Sequence, residues 1–296
     1  MEDYILKVIN ELNKKLEKNN MEGGFTSTKT IKNNGVTWNG IAYTGSKISP
    51  VLYLDRYYEE YSDTGNLCIE ELWHLFKRSI DELPFDVENI LNDWNCFEKR
   101  VIFKLVNKNM NEELLKTSVY RDVGEELAII YLYLLDLDNS APTASITITN
   151  QIAERFMVSE DELYSTAIKN TPKILKPVHR SINEMLNKNG IPFPNDAPDL
   201  MSVITNNKFI YGASVMFYPG LMSSIANELH REILYLIPSS IHEIILVDID
   251  EDQTSTIPYM IREINRTEVS PEDILSDNLY QYNASTDEIS IISARR

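Results

Sequence analysis

The chain has 296 residues, 43% hydrophobic and 25% charged, with 45 acidic against 28 basic side chains and a net charge of −17. That length supports one large domain or two modest ones around a real hydrophobic core. The negative charge repels phosphate backbones, so nucleic acid is not an expected partner. The longest apolar run, 127–135, is about half of a bilayer crossing, so no membrane is expected either. The N-terminus lacks the basic start and apolar stretch of a secretory signal. Cys68 and Cys96 have no CxxC spacing and read as reduced, buried thiols of a cytoplasmic protein.

Ile5, Val8, Ile9, Leu12 and Leu16 recur at helical spacing and predict an amphipathic helix over residues 1–18. Asn34-Gly35 then marks a two-residue hairpin turn, with Val36, Trp38 and Ala42 on one face of the strand that follows. Tyr53, Tyr57 and Tyr61 come one helical turn apart, with Tyr58 beside them. Helices are predicted over 69–80 and 87–115. LAIIYLYLL at 127–135 and ASITITN at 144–150 pair as a hairpin across 138–142. A helix pair follows, its second member opened by Ser159 and Glu162 in a capping box, which satisfies two free backbone donors. Past a loop holding Pro192, Pro194 and Pro198, residues 201–218 read as a hairpin turning at Asn206-Asn207. Pro219 starts a helix through Leu229. Strands at 233–237 and 243–249 precede a helix at 257–265. Ser270 to Asp273 cap a last short helix, and a small hairpin closes the chain.

Strand, strand, helix thus recurs near 25–63, 127–170, 201–229 and 233–265, which argues against a parallel doubly wound sheet. The expected fold is α+β, with a mixed or largely antiparallel sheet built from hairpin-plus-helix units and an N-terminal helix. It is read as a single module over 1–296, with 107–121 as the place for a subdomain boundary.

One segment gathers nucleophile, base and acid types: Ser239, Ser240, His242 and Glu243. A serine becomes a nucleophile when a histidine takes its proton and an acid orients that histidine. In an extended segment Ser240 and His242 share a face while Glu243 points away, so the acid must come from elsewhere. No GxSxG elbow is present, and the plainer reading is a polar turn whose hydroxyls satisfy backbone groups. Asp248, Asp250 and Asp252 alternate as in a calcium loop, but Gln253 and Tyr259 stand where an EF-hand needs glycine and glutamate. His74, His179 and His230 show no metal-ligand spacing, and no phosphate-cradling glycine loop occurs. No metal or cofactor is therefore expected. Tyr53, Tyr57, Tyr58 and Tyr61 are the candidate binding residues, since tyrosine buries a large ring while keeping a polar tip. The same spacing also fits a core-facing stripe.

NNGV at 33–36, ISPVLYLDRYYEEY at 48–61, NTPK at 170–173, YGASVMFYPG at 211–220, LIPSSIHEIIL at 236–246 and VSPEDILSD at 269–277 carry a family resemblance. In this order and spacing they resemble a bacterial family of uncharacterised proteins, catalogued as a domain of unknown function. The resemblance implies a bacterial, cytoplasmic protein and no particular activity. The reading that follows is a non-enzymatic protein-binding or regulatory module whose partner is another protein or a second copy of itself. The alternative is a serine-histidine hydrolase or transferase working from Ser239, Ser240 and His242.

Overall fold

The computed structural model describes residues 1–45, 51–81, 92–135, 144–184 and 200–292. The chain divides into two compact units, Met1–Asn92 and Asp93–Arg296. The stretch 107–121 lies within the second.

In the first unit, helix α1 (Glu2–Lys18) buries Tyr4, Ile5, Val8, Leu12 and Leu16 along one face. Acidic residues in its first turn and lysines in its last suit the helix dipole. Strands β1 (Phe25–Ile31), β2 (Thr37–Tyr43) and β3 (Val51–Tyr53) form an antiparallel sheet in that order. Asn34 and Gly35 both take the positive φ that their turn demands. The ladder closes at Lys32–Val36, one residue wider than a two-residue loop. Helices α2 (Asp55–Thr64) and α3 (Ile69–Asp81) follow. Phe25 and Tyr43 from the sheet meet Phe76 of α3 edge-on, with ring centroids 4.8 and 4.9 Å away. Leu12, Ile41, Leu54 and Leu72 complete this core, each worth about 1.5–3 kcal/mol when fully buried. The core thus lies on a single face of the sheet.

The second unit starts with a short helix, α4 (Trp94–Phe97), and strand β4 (Val101–Asn107), where sequence periodicity had predicted helix. VIFKLVN is buried on both sides, and such a run carries no period that separates strand from helix. The part of that predicted helix before residue 92 lies outside the described residues. Helix α5 (Glu112–Thr117) leads to β5 (Tyr120–Asp122), then β6 (Leu127–Leu135) and β7 (Ala144–Thr147). β6 pairs with β4 on one side and with β5 and β7 on the other, so it is buried along nearly its whole length. Helices α6 (Asn150–Phe156) and α7 (Glu160–Ile174) follow, and the Ser159–Glu162 capping box opens α7 as expected.

The outer edge of β4 is sealed by side chains. Phe103 donates its backbone N–H to Thr171 Oγ1 at 3.1 Å and accepts at its carbonyl from Ser214 Oγ at 3.3 Å, and Asn170 reaches the Val101 carbonyl.

The remaining strands, β8 (Pro177–Ser181), β9 (Met201–Asn206), β10 (Ile233–Ile237), β11 (Ile244–Val247), β12 (Tyr280–Asn283) and β13 (Glu288–Ile291), make a second sheet, ordered β13-β12-β10-β11-β9-β8. Every strand pairing among the described residues is antiparallel, so the α+β expectation holds in its antiparallel form. Helices α8 (Leu221–Glu228) and α9 (Ile257–Thr267) match their predicted positions, with α8 beginning after Gly220 rather than at Pro219.

Two expectations fail here. Residues 201–218 do not form a hairpin: after β9, Phe209 and Tyr211 adopt left-handed φ of 56° and 51°, and a 3-10 helix runs over Gly212–Phe217. Ser270 to Asp273 make a turn closed by Asp273 N–H on the Ser270 carbonyl, and Ile274 then bridges to Ser240 instead of entering a helix. The proline-rich loop and the 138–142 turn lie outside the described residues.

Candidate functional site

The Ser239–His242 segment is threaded between two others. The Ser239 carbonyl accepts from Leu275 N–H at 2.9 Å, and Ile241 N–H donates to the Asp273 carbonyl at 2.8 Å. On the other side the Ile241 carbonyl accepts from Ala213 N–H at 3.1 Å. Both serines are buried. Ser240 Oγ accepts from the backbone N–H of His242 at 3.0 Å, the local turn bond that serine favours.

Folding does bring an acid to His242. Its Nε2 lies 3.2 Å from Asp273 Oδ1, and its Nδ1 accepts the backbone N–H of Tyr211 at 3.3 Å. With Nδ1 accepting, the neutral ring carries its proton on Nε2 and donates it to Asp273. Neither nitrogen is then left to take a proton from a serine.

The surroundings explain the arrangement. A Cβ on Gly212 would fall 2.0 Å from the His242 carbonyl oxygen and 2.1 Å from Thr205 Oγ1, so only glycine lets these backbones meet. Left-handed backbone at Phe209 and Tyr211 costs roughly 1–2 kcal/mol per residue, and the bond from Tyr211 N–H to the imidazole helps hold it. The Tyr211 ring lies nearly parallel to the His242 ring, with centroids 6.2 Å apart, and its hydroxyl shares a hydrogen bond with Ser145 Oγ at 3.1 Å. Asp273, Tyr211 and Gly212 were invisible as partners in the sequence because each lies about 30 residues from His242. The arrangement can clamp three segments together, and it lacks the free base a nucleophilic serine needs.

The four tyrosines separate. Tyr57, Tyr58 and Tyr61 lie on α2, half-buried against the first core. Tyr4 of α1 packs on Tyr58 and Tyr61, with centroids 5.6 and 4.8 Å away. Tyr57 donates to Glu71 at 3.0 Å, and burial together with that carboxylate pushes its pKa up to about 12. Tyr61 accepts from Lys7 Nζ at 3.0 Å. These contacts fasten α2 to its neighbours.

Tyr53 is different. It ends β3, opposite Gly40, on the sheet face turned away from the core. There it meets Trp38 edge-on at 5.2 Å. Lys32 Nζ donates to the Tyr53 hydroxyl at 2.7 Å and lies 4.1 and 5.9 Å from the two ring centroids. Thr26, Thr28, Thr30, Ala42 and Val51 share this face by register. A Cβ on Gly40 would meet Val51 Cγ1 and the Leu52 carbonyl at 2.8 Å, so glycine lets β3 close on the sheet. Trp38 was placed on a face by alternation, but its pairing with Tyr53 and Lys32 required the β2–β3 register.

In the second unit, Arg121 grips Glu160 through Nε and Nη2 at 2.8 and 2.6 Å, while Tyr131 donates its hydroxyl to the same carboxylate. Burial and Glu160 drive the Tyr131 pKa upward. Beside this knot lies a hollow of about 800 Å3 lined by Ser118, whose buried hydroxyl has no hydrogen-bond partner among the described residues. A second hollow of about 640 Å3, at one end of β8–β11, is lined by Glu184, Glu228, Glu232 and Asp250, among others. The Asp248 of the calcium-like run is engaged by Arg231 at 2.6 and 2.8 Å, and Asp250 caps a turn. Among the described residues no group of three or more His, Cys, Asp or Glu could hold a metal, and no helix is long and apolar enough to cross a membrane. Cys68 and Cys96 are both free thiols, but Cys96 is exposed, contrary to expectation.

The molecule is therefore an antiparallel α+β protein in which the sequence-selected histidine and most of the tyrosines are committed to internal hydrogen bonds. The chain belongs to a family of unknown function, DUF5688, whose model matches residues 1–284. No curated protein and no solved structure matches it.

Proposed function

We propose that this protein is a non-enzymatic, intracellular binding module that engages another protein through the open face of the β1–β3 sheet. The observation that carries this is the Trp38–Tyr53 pair under Lys32, partly exposed on a face of small side chains. Tryptophan and tyrosine dominate binding energy at interfaces because each buries a large rigid area at small entropic cost. Two free thiols support a reducing compartment. The hydrolase reading draws on the His242–Asp273 contact and stands second, since both ring nitrogens are engaged.

The test is photo-cross-linking in the source cell with benzoylphenylalanine in place of Thr28, on the same face. A discrete protein adduct is expected that Trp38→Ala with Tyr53→Ala removes and that the same probe at Tyr259, exposed on α9, does not give. Equal adducts at both positions, or adducts indifferent to the double variant, would refute the reading.

A further inference from the structure

We propose that β1 accepts an extended, acidic segment of a partner protein as a fourth strand of the first unit's sheet. This rests on the protein-binding reading and names the chemistry of the partner.

The β1–β2 ladder fixes which backbone groups point outward. Lys32 N–H bonds the Val36 carbonyl and Thr44 N–H bonds the Gly24 carbonyl. By alternation the even-numbered residues of β1 face β2, and Phe25, Ser27, Lys29 and Ile31 face away from it. Phe25 N–H is taken by Asn13 Oδ1 at 2.8 Å. Among the described residues, the outward groups of Ser27, Lys29 and Ile31 meet no protein partner. These residues are exposed, Ile31 at 65%. The contrast with β4 is direct: both strands are seven residues long and lie at sheet edges, and the protein seals β4 with Asn170, Thr171 and Ser214 while leaving β1 open. An open edge of this length is a template for strand addition.

Charge selects the occupant. Between Glu22 and Asp55 the sequence holds no aspartate or glutamate, only Lys29, Lys32 and Lys47, in a chain whose net charge is −17. Lys29 extends on one face of the edge and Lys32 on the other, beside Trp38 and Tyr53. An added strand with carboxylates on both faces meets an ammonium group on each, and an apolar residue on it would cover Ile31. A second copy of the chain fits worse, because antiparallel β1–β1 pairing over the open residues Ser27, Lys29 and Ile31 sets Lys29 against Lys29, and like charges placed opposite each other destabilise a sheet.

The probe is a short capped, fluorescein-labelled peptide of paired glutamates and valines (Glu-Glu-Val-Val, repeated), which sets carboxylates on both faces of an added strand, titrated into the full chain at low salt and read by anisotropy. It should bind, and the lysine–valine counterpart should not. Ser27→Pro removes one outward N–H without touching the β1–β2 ladder, and it should weaken binding about tenfold or more. Lys29→Glu, on an exposed side chain, should do the same and serves if the proline variant misfolds. Equal binding of both peptides overturns the proposal, as does unchanged binding by a folded Ser27→Pro or by Lys29→Glu. So does a dimer that Ser27→Pro dissolves, which would give the edge to a second copy. If the Thr28 adduct survives Ser27→Pro but not the Trp38/Tyr53 double variant, strand addition falls and the binding face stands. If neither variant affects it, both fall.

Discussion

Glu126, at the foot of β6, offers the sharpest single perturbation. Its carboxylate accepts from the Ser276 hydroxyl, from Asn278 Nδ2 at 3.1 Å and from the Tyr280 hydroxyl at 2.7 Å. It thereby ties the start of β6 to residues more than 140 positions later. Ser276 and Tyr280 are 1% and 4% exposed, so removing the carboxylate leaves buried donors with no acceptor. Hydrogen bonds to a charged group are worth roughly 1.5–3 kcal/mol each, but three on one half-buried group do not add. Glu126→Ala should therefore cost local stability of about 3 kcal/mol, the scale of a broken buried network. Hydrogen exchange followed by mass spectrometry reads this directly: amides of β12 should exchange about a hundredfold faster, while those of β1 and β2 stay unchanged. Glu126→Gln should fall between, since its amide still accepts from Tyr280 but presents N–H to Asn278. Unchanged protection over 280–283 in the alanine variant would refute the argument.

Ser118→Ala deletes a buried hydroxyl that has no partner among the described residues and should raise stability by about 1 kcal/mol; a loss in urea unfolding would mean the hydroxyl is satisfied. His242→Ala frees the Tyr211 N–H and should lower stability by about 1–2 kcal/mol, whereas a catalytic role predicts unchanged stability. Cys96 is exposed and Cys68 buried, with burial pushing the Cys68 thiol up to about 11. A thiol reagent at neutral pH should therefore modify Cys96 rapidly and Cys68 only after denaturation, as mapped by peptide mass. Burial first, and then Glu160 or Glu126 for two of them, raises the folded-state pKa of Tyr131, Tyr218 and Tyr280 above the ordinary 10.0. Their stabilisation is complete below that unfolded value and is lost as pH rises past it. The urea midpoint should hold level to about pH 10 and then decline; a level midpoint well beyond that would contradict the burial of these hydroxyls.

Local signals in this chain were legible where they were self-contained. The α1 stripe, the Ser159 capping box and the Asn34-Gly35 turn each place their chemistry within a few residues; the first two appear as read, and the turn stands where it was expected with one residue more in its loop. β4 was misread because burial on both sides erases the alternation that marks a strand. The bend at Phe209–Tyr211 was misread because strained backbone on bulky residues is paid for by a distant partner, here His242. The binding candidate was half legible: Tyr53 was named, but on a helical count that grouped it with Tyr57 and Tyr61. The β2–β3 register moves it beside Trp38 instead. The acid-free stretch from Glu22 to Asp55 was available in the sequence, though its meaning needed the strand edge it decorates.

Leaving β1 uncovered also bears on solubility. Ammonium groups at Lys29 and Lys32 guard the edge against a second copy, and the overall charge of −17 adds a general repulsion between molecules. Both guards are electrostatic, and a screening length of about 10 Å at 0.1 M salt weakens them. Concentrated salt should therefore act in two directions, loosening the proposed hold on an acidic strand while lowering the barrier to clumping through the same edge. A stock kept clear at low ionic strength should turn turbid first along this seam, and a proline at Ser27 should delay the cloudiness.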